Sequence, residues 1–112
     1  MKKAVATWLA ILFSVAFLSA QTATVNIRTS AVCETCKETI EKDLSFEKGV
    51  KSAILTVDTK MLTVVYDSTR TSADKIRLRV SKIGYDADDV KRDPKAFKRL
   101  PECCKQKECS HH

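Results

Sequence analysis

Residues 31–40 have the sequence AVCETCKETI, in which an extended pattern of apolar residues gives way to a helical one. Before it, apolar and polar residues alternate over 24–29, which predicts a strand. After it, apolar residues recur at every fourth position over 34–46, which predicts an amphipathic helix of about three turns. Two thiols, Cys33 and Cys36, therefore lie where a predicted strand meets a predicted helix.

The sequence downstream predicts two more strands, a second helix and a last strand. Alternating apolar residues predict strands over 50–57 and 61–66, joined by a polar turn. The second helix is expected to begin at Thr71 or Ser72 and to end at Gly84, and a weak strand pattern follows over 85–90. This order predicts an α+β fold, a ferredoxin-like βαββαβ sandwich with a four-stranded antiparallel sheet and two helices on one face.

The first 20 residues are typical of a secretory signal peptide. A basic start precedes an apolar run over 4–17, and Ala20 provides a small residue at the expected cleavage site. The run is short for a membrane span, which needs about 20 apolar residues, so we expect no stable membrane insertion after cleavage. An uncleaved anchor is the alternative. We therefore expect an exported protein, periplasmic or extracellular, with one domain over 21–91 and a tail over 92–112.

The charge balance bears on the kind of partner. The chain of 112 residues carries a formal net charge of +6, and removal of Lys2 and Lys3 with the signal peptide lowers this charge to +4. A small basic surplus with few aromatic residues is a weak sign of nucleic-acid binding, and an exported protein seldom meets DNA. We expect no nucleic-acid partner.

The chain has five cysteines, in two tight groups. An even number of well-spaced cysteines would indicate a disulfide framework in an exported protein. Five is an odd number, and bridges within tight groups would close only small loops and so constrain the unfolded chain little. Metal binding or thiol chemistry fits the spacing better than structural cross-linking.

Residues 23 to about 90 resemble the heavy-metal-associated domain, the module of copper chaperones, of metal-exporting P-type ATPases and of exported mercury-binding proteins. The residues that carry the resemblance are Cys33-Glu34-Thr35-Cys36, Ile40-Glu41-Lys42-Asp43-Leu44, Gly49-Val50, Val64-Val65-Tyr66-Asp67, Thr71-Ser72 and Ile83-Gly84-Tyr85-Asp86-Ala87. The resemblance implies a metallochaperone or metal buffer, not an enzyme. It also implies a metal-transporting ATPase or another metal-accepting protein as the partner.

Two residues near the loop are interpreted through the same resemblance. The family usually carries a methionine at the position of Ala31, where it packs under the loop. A residue at the position of Tyr85 lies close to the metal loop in the family. Tyr85 is therefore expected to shield the metal or to hydrogen-bond a sulfur. The alternative is an aromatic side chain that closes the end of the sheet.

The chemistry of Cys33 and Cys36 independently indicates a soft metal ion. Free N–H groups at a helix start lower thiol pKa values, and thiolates select Cu(I), Zn(II) or Hg(II). Two ligands suit an ion of low coordination number, whereas zinc prefers four. Cu(I) is thus the first expectation, with Hg(II) or Zn(II) as alternatives. An exposed two-ligand site leaves room for a partner's thiolate, and two such loops could share one ion in a metal-bridged dimer.

Two other interpretations of the CxxC motif stay open. The motif at a helix start is also that of thiol–disulfide oxidoreductases. However, no Trp precedes Cys33, no Pro lies between the two cysteines, and the prolines Pro94 and Pro101 both lie in the tail. The second alternative is a structural disulfide with no metal role.

The tail carries a candidate second metal site, which we expect to be mobile unless it binds something. Three thiols and two imidazoles would suffice for a zinc site or a multi-sulfur Cu(I) site; they belong to Cys103, Cys104, Cys109, His111 and His112. Alternatively, these cysteines pair in a disulfide, and the two histidines begin an added tag. A further hypothesis is that the tail folds back and supplies a third sulfur to the CxxC metal.

Overall fold

The structure, a computed structural model, describes residues 21–105. The predicted signal peptide, over 1–20, lies outside the described residues, as do Cys109, His111 and His112. Within 21–105, the helices are all too short or too polar to cross a membrane.

The described residues form three strands and four helices, in the order predicted as far as the second helix. Their bounds are β1 (Thr22–Arg28), α1 (Glu34–Ser45), β2 (Val50–Thr56), β3 (Met61–Asp67), α2 (Ala73–Ile83), α3 (Pro94–Lys98) and α4 (Glu102–Lys105). The strands form one antiparallel sheet with β3 in the centre, in the order β1-β3-β2.

Side chains along each strand alternate between the two faces of the sheet, and one face lies toward the two long helices, α1 and α2. Ile27 of β1 and Leu55 of β2 each pair with Leu62 of β3, and all three side chains are buried. Ile54 lies on the opposite face, where 60% of it is exposed. The long helices contribute five fully buried side chains to the same core: Cys36, Ile40, Leu44, Ile76 and Val80. The predicted α+β architecture is confirmed.

The predicted four-stranded sheet is not confirmed, because residues 85–90 form only isolated bridges. Ala87 bridges to Thr29 and to Val90. At Asp88 the backbone turns into the left-handed region, with φ 54°. The Asp88 N–H donates to the Arg28 carbonyl at 2.8 Å, but the Arg28 N–H donates to the Asp88 carboxylate at 2.9 Å. A side chain therefore replaces the backbone acceptor of a regular ladder, and the strand does not extend.

The part of the tail that is described lies against the domain, contrary to the expectation of a mobile segment. Asp93 begins α3, with its carboxylate accepting from the Lys95 N–H. The Asp93 N–H donates to the Ser81 carbonyl at 3.0 Å, which ties this turn to the end of α2. Leu100 and Cys104 are buried in the hydrophobic core.

Gly84 makes this close approach of the tail feasible. It ends α2 with φ +117°, and an added Cβ would lie 3.0 Å from the Phe97 nitrogen and 3.1 Å from the Ala96 carbonyl carbon. A side chain here would be strained and would also collide with the backbone of α3.

Gly84→Ala should therefore lower the free energy of unfolding by about 2–4 kcal/mol, the sum of left-handed strain and overpacking. Urea denaturation measures this change. The exposed Lys82→Ala on the same helix is the control and should change stability by less than about 0.5 kcal/mol. A Gly84→Ala variant as stable as the control would contradict the packing of α3 on α2.

Candidate metal centre

The loop between β1 and α1 is fixed by hydrogen bonds at both of its sides. The Thr29 N–H and hydroxyl both donate to the Lys60 carbonyl at 2.9 Å. The Thr29 hydroxyl accepts from the Ala31 N–H at 3.2 Å, and the Ser30 hydroxyl accepts from the Asp86 N–H at 2.9 Å. Ala31 is fully buried. The backbone that leads into the CxxC motif is thereby held to both neighbouring turns.

Cys33 and Cys36 lie at the start of α1, as the sequence predicts. Cys33 is the N-cap residue, in an extended conformation, and its carbonyl accepts the first helical hydrogen bond from Lys37. Cys36 lies in the first turn. Their sulfur atoms are 3.4 Å apart. The bend from loop to helix therefore brings both thiols to one side.

The pair is buried rather than exposed, which corrects the expectation of an open two-ligand site. Cys36 is 0% exposed and Cys33 is 3% exposed. The tail is the cause, since α4 packs against α1 and places two more sulfurs beside Cys33. The Cys33 sulfur lies 3.1 Å from that of Cys103 and 3.8 Å from that of Cys104.

The CxxC motif and part of the predicted second site in the tail therefore lie next to each other in the structure. The sulfur atoms of Cys33, Cys103 and Cys104 all lie within 4.8 Å of one another, a spacing at which one metal ion could be held. These residues and Cys36 are free thiols. The further candidates in the tail, Cys109, His111 and His112, belong to the part of the chain that is not described.

Tyr85 closes the inner side of this cluster. The side chain is 1% exposed, and its hydroxyl has no hydrogen-bond partner among the described residues. Burial raises the pKa of this phenol, and the neighbouring Cys104 and Cys36 thiols raise it further. The hydroxyl therefore keeps its proton and is available to donate it.

The Cys36 and Cys104 thiols differ in the direction of their pKa shifts. Burial alone raises the pKa of Cys36, but contacts with the Cys104 thiol, the Val32 backbone and the Tyr85 hydroxyl together outweigh burial and lower the pKa. Burial raises the pKa of Cys104, and its contact with Cys36 raises it further. Cys36 therefore loses its proton before Cys104 does.

Sequence reasoning assigned Cys103 and Cys104 to a separate site and gave their approach to Cys33 only as a further hypothesis. The signals for docking were nevertheless present. Asp93-Pro94 is a helix start, since aspartate is a preferred N-cap residue and proline a preferred first helical residue. Leu100 supplies the apolar contact that follows.

Comparisons with known proteins concern the domain that carries Cys33 and Cys36. Residues 27–86, just over half of the chain, match the model of a family described as "Heavy-metal-associated domain". A copper-exporting P-type ATPase of Staphylococcus aureus (strain JH9) is 39% identical over 59 residues, which are 53% of this chain and 7% of the ATPase. The chain thus spans only a small part of the length of the curated relatives that it matches.

Solved structures show the same fold. Oxidized MerP from Ralstonia metallidurans CH34 is 28% identical, with a TM-score of 0.58 over 61% of this chain and 96% of that one. The water-soluble region of the P-type ATPase CopA from Bacillus subtilis is 27% identical, with a TM-score of 0.58 over 62% of this chain and 47% of that one. A CopZ metallochaperone, 23% identical, has a TM-score of 0.56 over 58% of this chain and 98% of its own.

The unpartnered hydroxyl of Tyr85 leads to a stability prediction. Tyr85→Phe should raise the free energy of unfolding of the metal-free protein by about 1 kcal/mol, because a buried donor without a partner is costly. Urea denaturation of the reduced protein measures the change. Tyr66→Phe is the control, since its hydroxyl is not a buried unpartnered atom of the described residues. A loss of stability in Tyr85→Phe would mean that the hydroxyl has a partner.

The proximity of the tail thiols can be tested by oxidation. Brief treatment with the oxidant diamide should give two populations, one with Cys33 bonded to Cys36 and one with Cys33 bonded to Cys103 or Cys104, since the sulfurs are 3.1–3.8 Å apart. Peptide mapping by mass spectrometry would identify the linkages. In concentrated urea the long-range linkage should fall sharply relative to the local one, because loop closure then favours near neighbours. Native protein that forms only the local linkage would contradict docking of the tail.

Proposed function

Because the chain belongs to the heavy-metal-associated domain family, we propose that it is an exported metallochaperone or metal buffer that binds Cu(I) through Cys33 and Cys36. The observation that carries the proposal is the pair of sulfurs 3.4 Å apart at the start of α1. Thiolates prefer soft ions to hard ones. In the described part of the chain, the residues grouped closely enough to hold a metal ion are all cysteines.

Copper is favoured over other soft ions by the relatives. The sequence is 39% identical to part of a copper-exporting P-type ATPase over 59 residues, which are 53% of this chain. Cu(I) also accepts low coordination numbers, so two thiolates suffice to hold it while a third ligand approaches. The lowered pKa of Cys36 agrees with this role, because the thiolate is the form that binds metal.

Transfer would proceed by ligand exchange with a metal-transporting ATPase or another metal-accepting protein. A thiolate of the acceptor binds the ion as one thiolate of this chain leaves, so the number of metal–sulfur bonds is conserved and no electron is transferred. The predicted signal peptide over 1–20 would place this exchange in the periplasm or outside the cell.

Mercury is the second candidate ion. Oxidized MerP is 28% identical, and the chain covers 96% of that structure. The resemblance of an exported chain to exported mercury-binding proteins favours a scavenger of Hg(II), which also accepts two thiolates. The two candidates use the same residues and differ in the ion alone.

An anaerobic competition titration tests the proposal. Reduced protein, residues 21–112, is titrated with Cu(I), Hg(II) and Zn(II) against chelators of known affinity. We expect one tightly bound Cu(I) per chain, and the loss of this tight binding in Cys33→Ser/Cys36→Ser. Thr35→Ala is the matched control, since this exposed residue lies between the two cysteines and should leave binding unchanged.

Other results of the titration would support a different function. Tight binding of Hg(II) with weak binding of Cu(I) would select the mercury scavenger. Failure to bind any of the three ions tightly would refute metal handling. Activity with a disulfide-bonded peptide would then identify a thiol–disulfide oxidoreductase.

A further inference from the structure

We propose that Cys103 and Cys104 are ligands of the same ion as the CxxC motif, joined to it through Cys33, so that the docked tail closes a site of at least three sulfurs around the ion. This inference rests on the proposed function, because it concerns how the same ion is held. It replaces an open two-ligand loop with an enclosed site made by a single chain.

The spacing of the sulfurs suits an ion with three or four ligands. With metal–sulfur bonds of about 2.3 Å, tetrahedral ligands lie about 3.8 Å apart, and two ligands on opposite sides of an ion lie about 4.6 Å apart. The observed separations are 3.8 Å for Cys33–Cys104 and 4.0 Å for Cys103–Cys104. Cys33–Cys36 and Cys33–Cys103, at 3.4 and 3.1 Å, would have to widen by less than about 1 Å. Cys36 lies outside the group of three sulfurs that are all within 4.8 Å of one another, so a fourth ligand would require Cys36 to move toward the tail thiols.

The Tyr85 hydroxyl is an independent indication of a missing charged partner. It is buried beside the Cys36 and Cys104 thiols, which are weak acceptors close enough to influence its pKa but which do not form a hydrogen bond of good geometry with it. Buried polar groups are nearly always paired. A metal-bound thiolate is a stronger acceptor than a neutral thiol, so loading the site would supply the partner that the hydroxyl lacks.

The tail is positioned by contacts that need no metal. Asp93 is tied to the Ser81 carbonyl, the backbone at Ala96 packs on Gly84, and Leu100 is buried. These contacts fix α3, and α4 follows after one short connection. The two tail sulfurs are therefore presented to Cys33 by the fold itself, which lowers the entropic cost of adding them as ligands.

Cys103 is the ligand at which exchange would begin. It is half-buried, whereas Cys33, Cys36 and Cys104 are all buried. A thiolate from an acceptor can thus reach the ion from the side of Cys103, and once Cys103 and then Cys104 have been displaced, α4 would be free to move. The tail would act as a gate that retains the ion until an acceptor displaces it.

Copper X-ray absorption on the full mature chain tests this site directly. Cu(I)-loaded protein should show three or four Cu–S bonds, and Cys103→Ser/Cys104→Ala should show two. The Cu(I) affinity of the double variant should fall at least about tenfold, because loss of even an outer-shell partner of a metal ligand costs about 10–100-fold. Glu102→Ser, an exposed position on the same helix, is the matched control and should match the parent protein.

Cys103→Ser alone keeps the test valid if the double variant does not fold, since this residue is half-buried. It should lose one Cu–S bond and release Cu(I) to a chelator faster than the parent, with an unchanged far-UV circular dichroism spectrum. Parent protein with only two Cu–S bonds, and variants of unchanged affinity, would overturn the composite site and leave the proposed function standing. A parent protein that binds no Cu(I) or Hg(II) would overturn the proposed function itself.

Discussion

The close approach of the sulfur atoms around Cys33 is the constraint on which the structure near the CxxC motif depends. Two unit charges 4 Å apart repel each other by about 4 kcal/mol at an effective dielectric constant of about 20. The Cys33 sulfur has neighbours at 3.1, 3.4 and 3.8 Å, so several thiolates cannot coexist there without a cation. The metal-free cluster must therefore hold most of its protons, and binding of a soft ion must expel them.

The fold positions the thiols before a metal ion binds, so its own contacts offset the free-energy cost of bringing the sulfur atoms together. The loop is tied to the turns at Lys60 and Asp86, and the tail is tied to the end of α2 through Ser81. Neither set of contacts involves a sulfur atom. The thiols are thus placed by backbone hydrogen bonds and apolar packing. Tyr85 fills the space behind them, and its hydroxyl has no hydrogen-bond partner within residues 21–105.

The sequence predicted the strands and long helices of the domain well, because the patterns that indicate them involve residues only a few positions apart. Alternation predicted the three strands, and the spacing of Ile40 and Leu44 predicted α1. The second helix was expected to begin at Thr71 or Ser72 and to end at Gly84, and the structure has Ser72 and Gly84 as its caps. The fourth strand was overpredicted because Asp88 adopts a left-handed conformation and its carboxylate replaces a backbone acceptor. Contact between Cys33 and Cys103, 70 residues apart, depends on tertiary packing, for which periodicity gives no signal.

The docked tail changes what a two-cysteine motif can do. An open pair of thiolates gives up its ion easily, because an acceptor needs only to approach. An ion enclosed by further thiolates from the same chain is held more tightly, since the added ligands act at high effective concentration. Release then requires displacement at the half-buried Cys103 before an acceptor reaches the buried pair. In the proposed site, the balance between storing and delivering the ion would therefore be set by how firmly Leu100 and α3 hold the tail against the core.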